Sequence, residues 1–253
     1  MRNSKLVVIL VIVLLACSKK EAPKDVSEAN EMFPAEFTQV LKLHGELDHW
    51  KYYHYLRFNK GNEQHTIDLW SRKTKIEAEQ YSLGFDGETV WLKQDSTYFS
   101  GSPVFYHNLY FYFFAMPFVL ADPGTHHETV QPVTLMDKQY HGVRVTFDDG
   151  IGASSKDEYI VYFDPETDQM QWLAYMSTFF TKEKKTQYNI IHYEDWQQVR
   201  DIWLPAKISW YNYKDGILGE KRNTVEFKNV TLSETEFPDF SFAMPDGSKK
   251  INE

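Results

Sequence analysis

The chain has 253 residues, of which 42% are apolar and 25% charged, and it contains a single cysteine. One cysteine excludes an internal disulfide and the zinc sites that need two or more thiolates. The formal net charge of -9 argues against nucleic acid as a partner, because phosphate binding needs a basic face. A chain of this length can bury a sizeable core without help, so we expect no cofactor and no structural metal.

The first residues are typical of a lipoprotein signal peptide over residues 1–16. A basic start, residues 1–5, precedes an apolar run over residues 6–15, and the run ends in Leu-Ala-Cys, with Cys17 last. The run is too short for a membrane-spanning helix, which needs about 20 residues. Its end resembles the bacterial lipobox, and that resemblance implies cleavage before Cys17 and lipidation of its sulfur. The alternative is an ordinary signal peptide.

We expect the mature chain to hang from the membrane on a flexible tether. Residues 17–32 are polar and have no periodicity, which is typical of a linker that follows the lipidated Cys17. Removal of Arg2 and Lys5 takes the formal net charge from -9 to -11, so an anionic lipid surface would repel the body of the protein. Serine after Cys17 favours the outer membrane, by resemblance to lipoprotein sorting rules. We therefore predict a lipid-anchored envelope protein that faces the periplasm.

One helix and many strands are predicted for residues 33–247, which we expect to form a single domain with a tail at 248–253. Apolar residues recur at three- and four-residue steps over residues 35–52, and this period predicts a helix. Beyond residue 53, alternating patterns and frequent Asp-Gly turn signals indicate antiparallel hairpins. The predicted strands are 53–59, 65–71, 75–85, 88–93, 97–98, 142–147, 158–163, 169–178, 185–193, 207–213 and 222–232.

Residues 105–121 interrupt the rhythm of strands. They form an aromatic run that is longer than a usual strand and contains Pro117. Pro103 precedes the run, and Asp122-Pro123-Gly124 ends it, so we predict one or two short helices. The run is too short and too polar for a membrane span.

Four stretches, taken in order, resemble the LolA/LolB lipoprotein-carrier superfamily. They are an Asp-Gly turn before a Trp-bearing strand (85–92), the helical insertion (105–121), a Leu-Pro strand start (203–210) and the closing Phe-Ser-Phe-Ala-Met-Pro-Asp-Gly (240–247). The resemblance implies a mainly β (α+β) fold, in which a half-open antiparallel β-barrel packs over an N-terminal helix and a central helical insertion. It also implies an apolar cavity that takes acyl chains.

Aromatic residues are the other informative feature, with 18 Phe, 16 Tyr and 7 Trp. Such side chains suit a packed core, a lipid cleft or a carbohydrate-stacking surface. A helix over residues 110–114 would be apolar on every side, so it must be buried or contact lipid. We predict that the insertion is a lid with residues 122–124 as its hinge. The candidate ligand-binding residues of cavity and lid are Tyr110, Phe113, Phe114, Phe118, Leu120, Trp91 and Trp210.

The histidines offer little evidence for a metal or catalytic site. His44, His49 and His54 are five residues apart, which places neighbours on different faces of a helix or a strand. His126-His127-Glu128 follows the Asp-Pro-Gly stop, where a loop could bring the three side chains together as a zinc site or a general base. Solvated loop histidines are the simpler interpretation.

These observations leave three functional hypotheses. The leading one is a non-enzymatic lipoprotein that is anchored through Cys17, binds an apolar or acyl ligand in its half-barrel, and handles envelope lipids or lipoproteins. The alternative is a non-catalytic structural module with a filled barrel that binds an envelope protein partner. The third is a hydrolase that uses residues 126–128. Lipid carried by the purified protein would separate the first two.

Overall fold

Thirteen strands form one antiparallel sheet in the computed structural model, which describes residues 32–149, 156–179 and 187–252. The predicted signal peptide and Cys17 lie outside the described residues. Phe33–Glu253 make up one compact unit. The strands are β1 Tyr55–Lys60, β2 Glu63–Asp68, β3 Thr74–Glu77, β4 Tyr81–Phe85, β5 Val90–Gln94, β6 Thr125–Leu135, β7 Lys138–Phe147, β8 Glu158–Phe163, β9 Met170–Met176, β10 Asn189–Val199, β11 Ile202–Lys214, β12 Ile217–Ser233 and β13 Lys249–Ile251.

The sheet is open, with the strand order β13-β5-β4-β3-β2-β1-β12-β11-β10-β9-β8-β7-β6. Most neighbours are hairpin partners in sequence, and the long strand β12 joins the two halves by pairing with both β1 and β11. The edge strands β13 and β6 each pair on one side within the described part of the chain. The predicted mainly β, antiparallel fold is confirmed, and the half-open barrel of the prediction takes the form of one open sheet.

The predicted N-terminal helix is divided in two, α1 (Ala35–Leu43) and α2 (Leu47–Tyr52). The break falls at Gly45, whose φ of 118° suits glycine far better than any other residue. A Cβ there would also lie 2.3 Å from the carbonyl oxygen of Asp201. The single helix predicted over residues 35–52 is therefore wrong, because a distant turn packs against the chain at Gly45.

The aromatic insertion forms α3 (Pro103–Phe114) and a 3₁₀ turn (Phe118–Ala121), as predicted. Ser102 caps α3 by accepting a hydrogen bond from the Phe105 N–H at 3.4 Å, and Pro103 occupies the first turn, where its missing N–H costs nothing. No helix in the described ranges has the length and apolarity of a membrane span.

Both faces of the sheet carry buried apolar side chains. Along β8, Val161 and Phe163 belong to the main core, which also contains residues of α1, α2 and α3. The alternate positions Ile160 and Tyr162 belong to a second cluster, which is centred on Trp172. Successive strand residues point to opposite faces, so the helices cover one face and aromatic side chains pack on the other.

Four local predictions differ from the structure. Residues 125–135, where no strand was predicted, form β6, and residues 97–98 are not a strand. Residues 249–251, placed in the tail, form β13 and pair with β5. In addition, the strand predicted over 75–85 is a hairpin, β3 and β4. The strand β6 was missed because it is an edge strand with mostly exposed side chains and contains Pro132, which only an edge or a bulge tolerates.

Candidate functional site

A cavity of about 630 Å³ lies between α3 and strands β7–β12. Its size falls within the roughly 300–1,000 Å³ that is usual for small-molecule sites. The helix supplies one wall, and the ends of neighbouring strands supply the other. Its aromatic lining consists of Phe105, Tyr110, Tyr112, Phe113, Phe147, Tyr159, Tyr175, Phe179 and Trp210.

The strand register aligns the sheet wall of the cavity. Tyr159 on β8 pairs with Tyr175 on β9, and Tyr175 pairs with Asn189 on β10, so the three side chains form a row across the strands. Directly paired side chains on one face of a sheet lie within contact distance. Trp210 on β11 joins this row, because its indole Nε1–H donates to the Tyr175 hydroxyl at 3.2 Å.

The helix α3 is held over the sheet by buried polar contacts near both of its ends. Near its start, the Nδ1 of His107 lies 3.1 Å from the Thr74 hydroxyl. Near its end, the Tyr193 hydroxyl donates to the Phe113 carbonyl oxygen at 2.8 Å. Burial lowers the pKa of His107 to about 4, so this cavity-lining ring is neutral at pH 7. These contacts fix α3 as a wall of the cavity.

The carboxylate of Glu63 makes the strongest of the contacts to α3. It accepts hydrogen bonds from the Tyr106 hydroxyl of α3 at 2.8 Å, from the Tyr81 hydroxyl and from the His65 ring, and it pairs with Lys60 at 2.9 Å. Burial alone would raise the pKa of Glu63, but these hydrogen bonds and the Lys60 charge outweigh it and bring that pKa to about 2. Glu63 is therefore ionised and fully hydrogen-bonded at neutral pH.

Hydroxyl groups stand out on the otherwise apolar walls. In the described part of the chain, no hydrogen-bond partner is found for the hydroxyls of Tyr110 and Tyr159, both of which line the cavity. Burial raises the pKa of each, so both stay protonated. Both side chains are only partly buried, so these two hydroxyls are available to water or to the oxygen atoms of a ligand.

One end of the cavity carries its polar and charged groups. Arg222 and Asn223 on β12, Asn189 on β10 and Asp157 before β8 line this end. The Asp157 carboxylate accepts hydrogen bonds from the backbone N–H and the hydroxyl of Thr178, at 2.7 and 2.9 Å. The arrangement, with long aromatic walls and polar groups at one end, is suited to binding an amphiphilic molecule.

Three predicted ligand-binding residues, Tyr110, Phe113 and Trp210, line the cavity. The Phe113 ring lies 5.1 Å from the Tyr175 ring and 5.6 Å from the indole of Trp210, both in edge-on geometry. The side chain of Phe113 is 6% exposed, and the exposed part faces the cavity. Contact of these side chains with a ligand stays a prediction.

The other four predicted ligand-binding residues are packed elsewhere: Phe114, Phe118, Leu120 and Trp91. Phe114 lies between Phe58 and Phe227, at ring distances of 4.6 and 4.4 Å. Phe118 stacks on Trp50 at 4.8 Å, and Trp91 donates its indole N–H to a backbone carbonyl. None of the four lines the cavity of about 630 Å³. For Phe114 the reason is that one residue along α3 turns a side chain by about 100° away from that of Phe113.

The predicted hinge is held by an ion pair. One guanidinium nitrogen of Arg72 lies 2.7 Å from both carboxylate oxygens of Asp122, and the guanidinium carbon lies 5.2 Å from the centre of the Phe111 ring. Asp122 follows the 3₁₀ turn directly, so this contact ties the end of the insertion to the turn between β2 and β3. Movement of α3 as a lid would require it to break.

The side chains of residues 126–128 do not converge. His126 Nε2 lies 2.6 Å from Asp148, His127 Nε2 lies 2.8 Å from the Leu120 carbonyl oxygen, and Glu128 pairs with Arg144. Their position on the regular strand β6 sends neighbours to opposite faces. The structure therefore does not bring residues 126–128 together as the zinc site or general base considered from the sequence.

His44, His49 and His54 also diverge, as predicted. His44 is buried and bonds the Val40 carbonyl oxygen, His49 pairs with Asp201, and His54 stacks on the Trp70 ring. Across residues 32–149, 156–179 and 187–252, no group of three or more His, Cys, Asp or Glu side chains could hold a metal ion.

Several lining residues were not predicted. Tyr159 and Tyr175 lie on strands that the sequence placed correctly, at the positions that alternate with Ile160 and Ala174. Strand parity with the core residue Val161 would have identified Tyr159 as facing the helices. Arg222 carries no such signal, because a register irregularity in the pairing of β11 with β12 falls beside it.

The sequence matches the model of a protein family over residues 92–226. The matched segment contains every cavity-lining residue. The family is DUF6503, and it is described as a family of unknown function. No curated protein matches the sequence.

Solved structures that are similar to the chain include the following two. A LolA superfamily protein from Nitrosomonas europaea is 10% identical, with a TM-score of 0.44 over 75% of this chain and 87% of that one. A DUF1329 family protein from Desulfovibrio piger is also 10% identical, with a TM-score of 0.46 over 83% of this chain and 96% of that one. The first of them is a member of the LolA superfamily, which the sequence resembles.

Proposed function

The chain belongs to the family of unknown function DUF6503, and we propose that it is a non-enzymatic, lipid-anchored envelope protein that binds an apolar or acyl ligand beneath α3. The observation that supports binding is the aromatic-walled cavity of about 630 Å³, which the described side chains leave unfilled. Anchoring through Cys17 at the outer membrane rests on the lipobox-like end of the signal peptide. The role in envelope lipid or lipoprotein handling follows from combining the two.

The shape of the cavity favours a chain-like ligand. Phe113 of α3 meets Tyr175 and Trp210 of the sheet edge to face, and the three rings present a broad apolar surface to the cavity. Burial of apolar ligand surface against such walls stabilises a complex by about 25 cal/mol per Å². The lining within the described ranges offers no hydrogen bond between Ser177 and His107, the pair that acyl-transfer chemistry would need.

The alternative hypothesis is a barrel filled by its own side chains, and away from the cavity the interior of the fold is filled in this way. Phe114, Phe118 and Leu120 pack into the main core and leave no space near them for a ligand. The two hypotheses therefore differ only at the end of the sheet where the cavity lies. A test must act on that end alone.

Binding can be tested on a soluble version of the chain that begins at Ser18 and contains the whole compact unit. After incubation with a lipid extract of bacterial membranes, native mass spectrometry should show a bound lipid mass. The variant Leu109→Trp places an indole in the cavity and should remove that mass. The matched control Leu43→Trp alters an exposed leucine of α1 and should retain it. Absence of lipid from the unaltered chain would favour the filled module that binds a protein partner.

A further inference from the structure

We propose that the ligand of the cavity is a long-chain amphiphile with a single negative charge, a carboxylate, whose head is bound by Arg222. This inference rests on the proposed function, because it names the chemical class of the molecule held beneath α3. It is carried by the charge, the hydrogen-bond donors and the position of the polar end of the cavity.

Arg222 differs from the other arginines in its contacts. Arg72 pairs with a carboxylate at 2.7 Å, Arg200 at 2.9 Å and Arg144 at 3.2 Å, whereas Arg57 lies over the rings of aromatic residues. Within the described residues, no ion pair is found for Arg222, although the chain carries a net charge of -9. Arg222 is exposed on the cavity wall, so its guanidinium can exchange water for an anion without breaking an ion pair.

Hydrogen-bond donors line the same cavity as the guanidinium. Arg222 lies beside Asn223, which pairs with Trp210, and the Trp210 indole reaches the Tyr175 hydroxyl. That hydroxyl already accepts the Trp210 indole N–H, so its own proton is free to be donated. The amides of Asn189 and Asn223 line the same end, since Asn189 pairs with Tyr175 across the strands and Asn223 pairs with Trp210. A carboxylate has two oxygens that accept such donors.

Apolar surface continues from this polar end along α3. Trp210 and Tyr175 contact Phe113, and Leu109 lies one helical turn before Phe113 on the same wall. A head group at Arg222 therefore directs an attached alkyl chain between α3 and the sheet. A small hydrophilic anion would leave these walls uncovered, so the chain is part of the ligand.

The number of cations limits the charge of the head group. Arg222 is the one cationic side chain among the described lining residues, so a carboxylate is matched by it, whereas the second charge of a phosphate monoester would find no cation there and would be repelled by Asp157. A neutral alcohol would gain no ionic contact with Arg222. A carboxylate head matches the site best.

The test uses the chain that begins at Ser18, titrated calorimetrically at pH 8 with dodecanoate, dodecanol and dodecyl phosphate below their micelle concentrations. We expect dodecanoate to bind about tenfold more tightly than dodecanol, the order of a charge-assisted hydrogen bond. Arg222→Gln should abolish that preference and leave the affinity for dodecanol unchanged. The matched control Lys228→Gln removes an exposed β12 cation that pairs with Glu226, and it should keep the preference.

Each outcome decides between the claims. Equal affinity for the acid and the alcohol, or a preference that survives Arg222→Gln, would overturn the role of Arg222 and leave the acyl-binding function standing. Tighter binding of dodecyl phosphate than of dodecanoate would overturn the carboxylate assignment. No binding of any of the three probes would contradict the proposed function itself.

Discussion

Phe113 and Phe114 are neighbours on α3 whose truncation should have different consequences. Phe114 is fully buried between two phenylalanine rings, so Phe114→Ala leaves a closed cavity and should cost about 4 kcal/mol, within the usual range of about 3–5 kcal/mol. Phe113 borders the ligand cavity and has fewer neighbours to lose. Phe113→Ala should therefore cost about 2 kcal/mol or less.

Urea unfolding at 25 °C, followed by circular dichroism, measures both losses. With a slope of about 3 kcal/mol per molar urea, the midpoint should fall by about 1.3 M for Phe114→Ala and by at most about 0.7 M for Phe113→Ala. The affinity for an acyl ligand should fall about tenfold in Phe113→Ala, because a large apolar contact is lost. Equal midpoint losses, together with no lipid on the unaltered chain, would show that Phe113 is ordinary core.

Three further outcomes are expected. Glu63→Gln should destabilise the protein by about 3 kcal/mol at pH 7, because the pKa of Glu63 is lowered from 4.5 to about 2 in the folded state. This contribution to stability is present above pH 4.5 and is lost as the pH falls towards 2. The urea midpoints of the two proteins should therefore converge over that range. Burial lowers the pKa of His44 to about 4, so its ring stays neutral in the folded state at pH 7. The free energy of unfolding should therefore fall as the pH drops from 6.5 to 4, and His44→Asn should reduce that fall by about 3 kcal/mol. An unchanged pH dependence would refute the role of His44. Cys17→Ser should move the protein from the membrane fraction to the soluble fraction and abolish palmitate labelling, and retention in the membrane would contradict the lipoprotein assignment.

The local pattern of apolar and polar residues was sufficient to predict much of the sheet. The strand β8 has the bounds predicted from its alternating and aromatic residues, Glu158–Phe163, and the aromatic insertion forms short helices between its flanking proline signals. These elements are specified by residues within the segment itself. The edge strand β6 was not predicted because its exposed side chains do not alternate between apolar and polar residues.

Long-range contacts decided what the sequence could not. The break at Gly45 depends on the close approach of Asp201, more than a hundred residues away. The choice between Phe113 and Phe114 as a cavity residue depends on the rotation of α3 about its axis. Because the helix is apolar on every side, its sequence does not indicate which face points into the cavity. The polar end of the cavity is assembled from two different strands and the segment before β8, so no single segment shows it.

The central claim is that an acyl chain lies between α3 and the sheet. A long-chain fatty acid with a diazirine at mid-chain, bound to the chain that begins at Ser18 and then irradiated, would mark the residues around its chain. Peptide mass spectrometry should place the cross-links on α3 around Leu109 and Phe113 and on β11 at Trp210, and Leu109→Trp should remove them. Cross-links confined to surface residues outside the cavity, or unaffected by Leu109→Trp, would contradict the account.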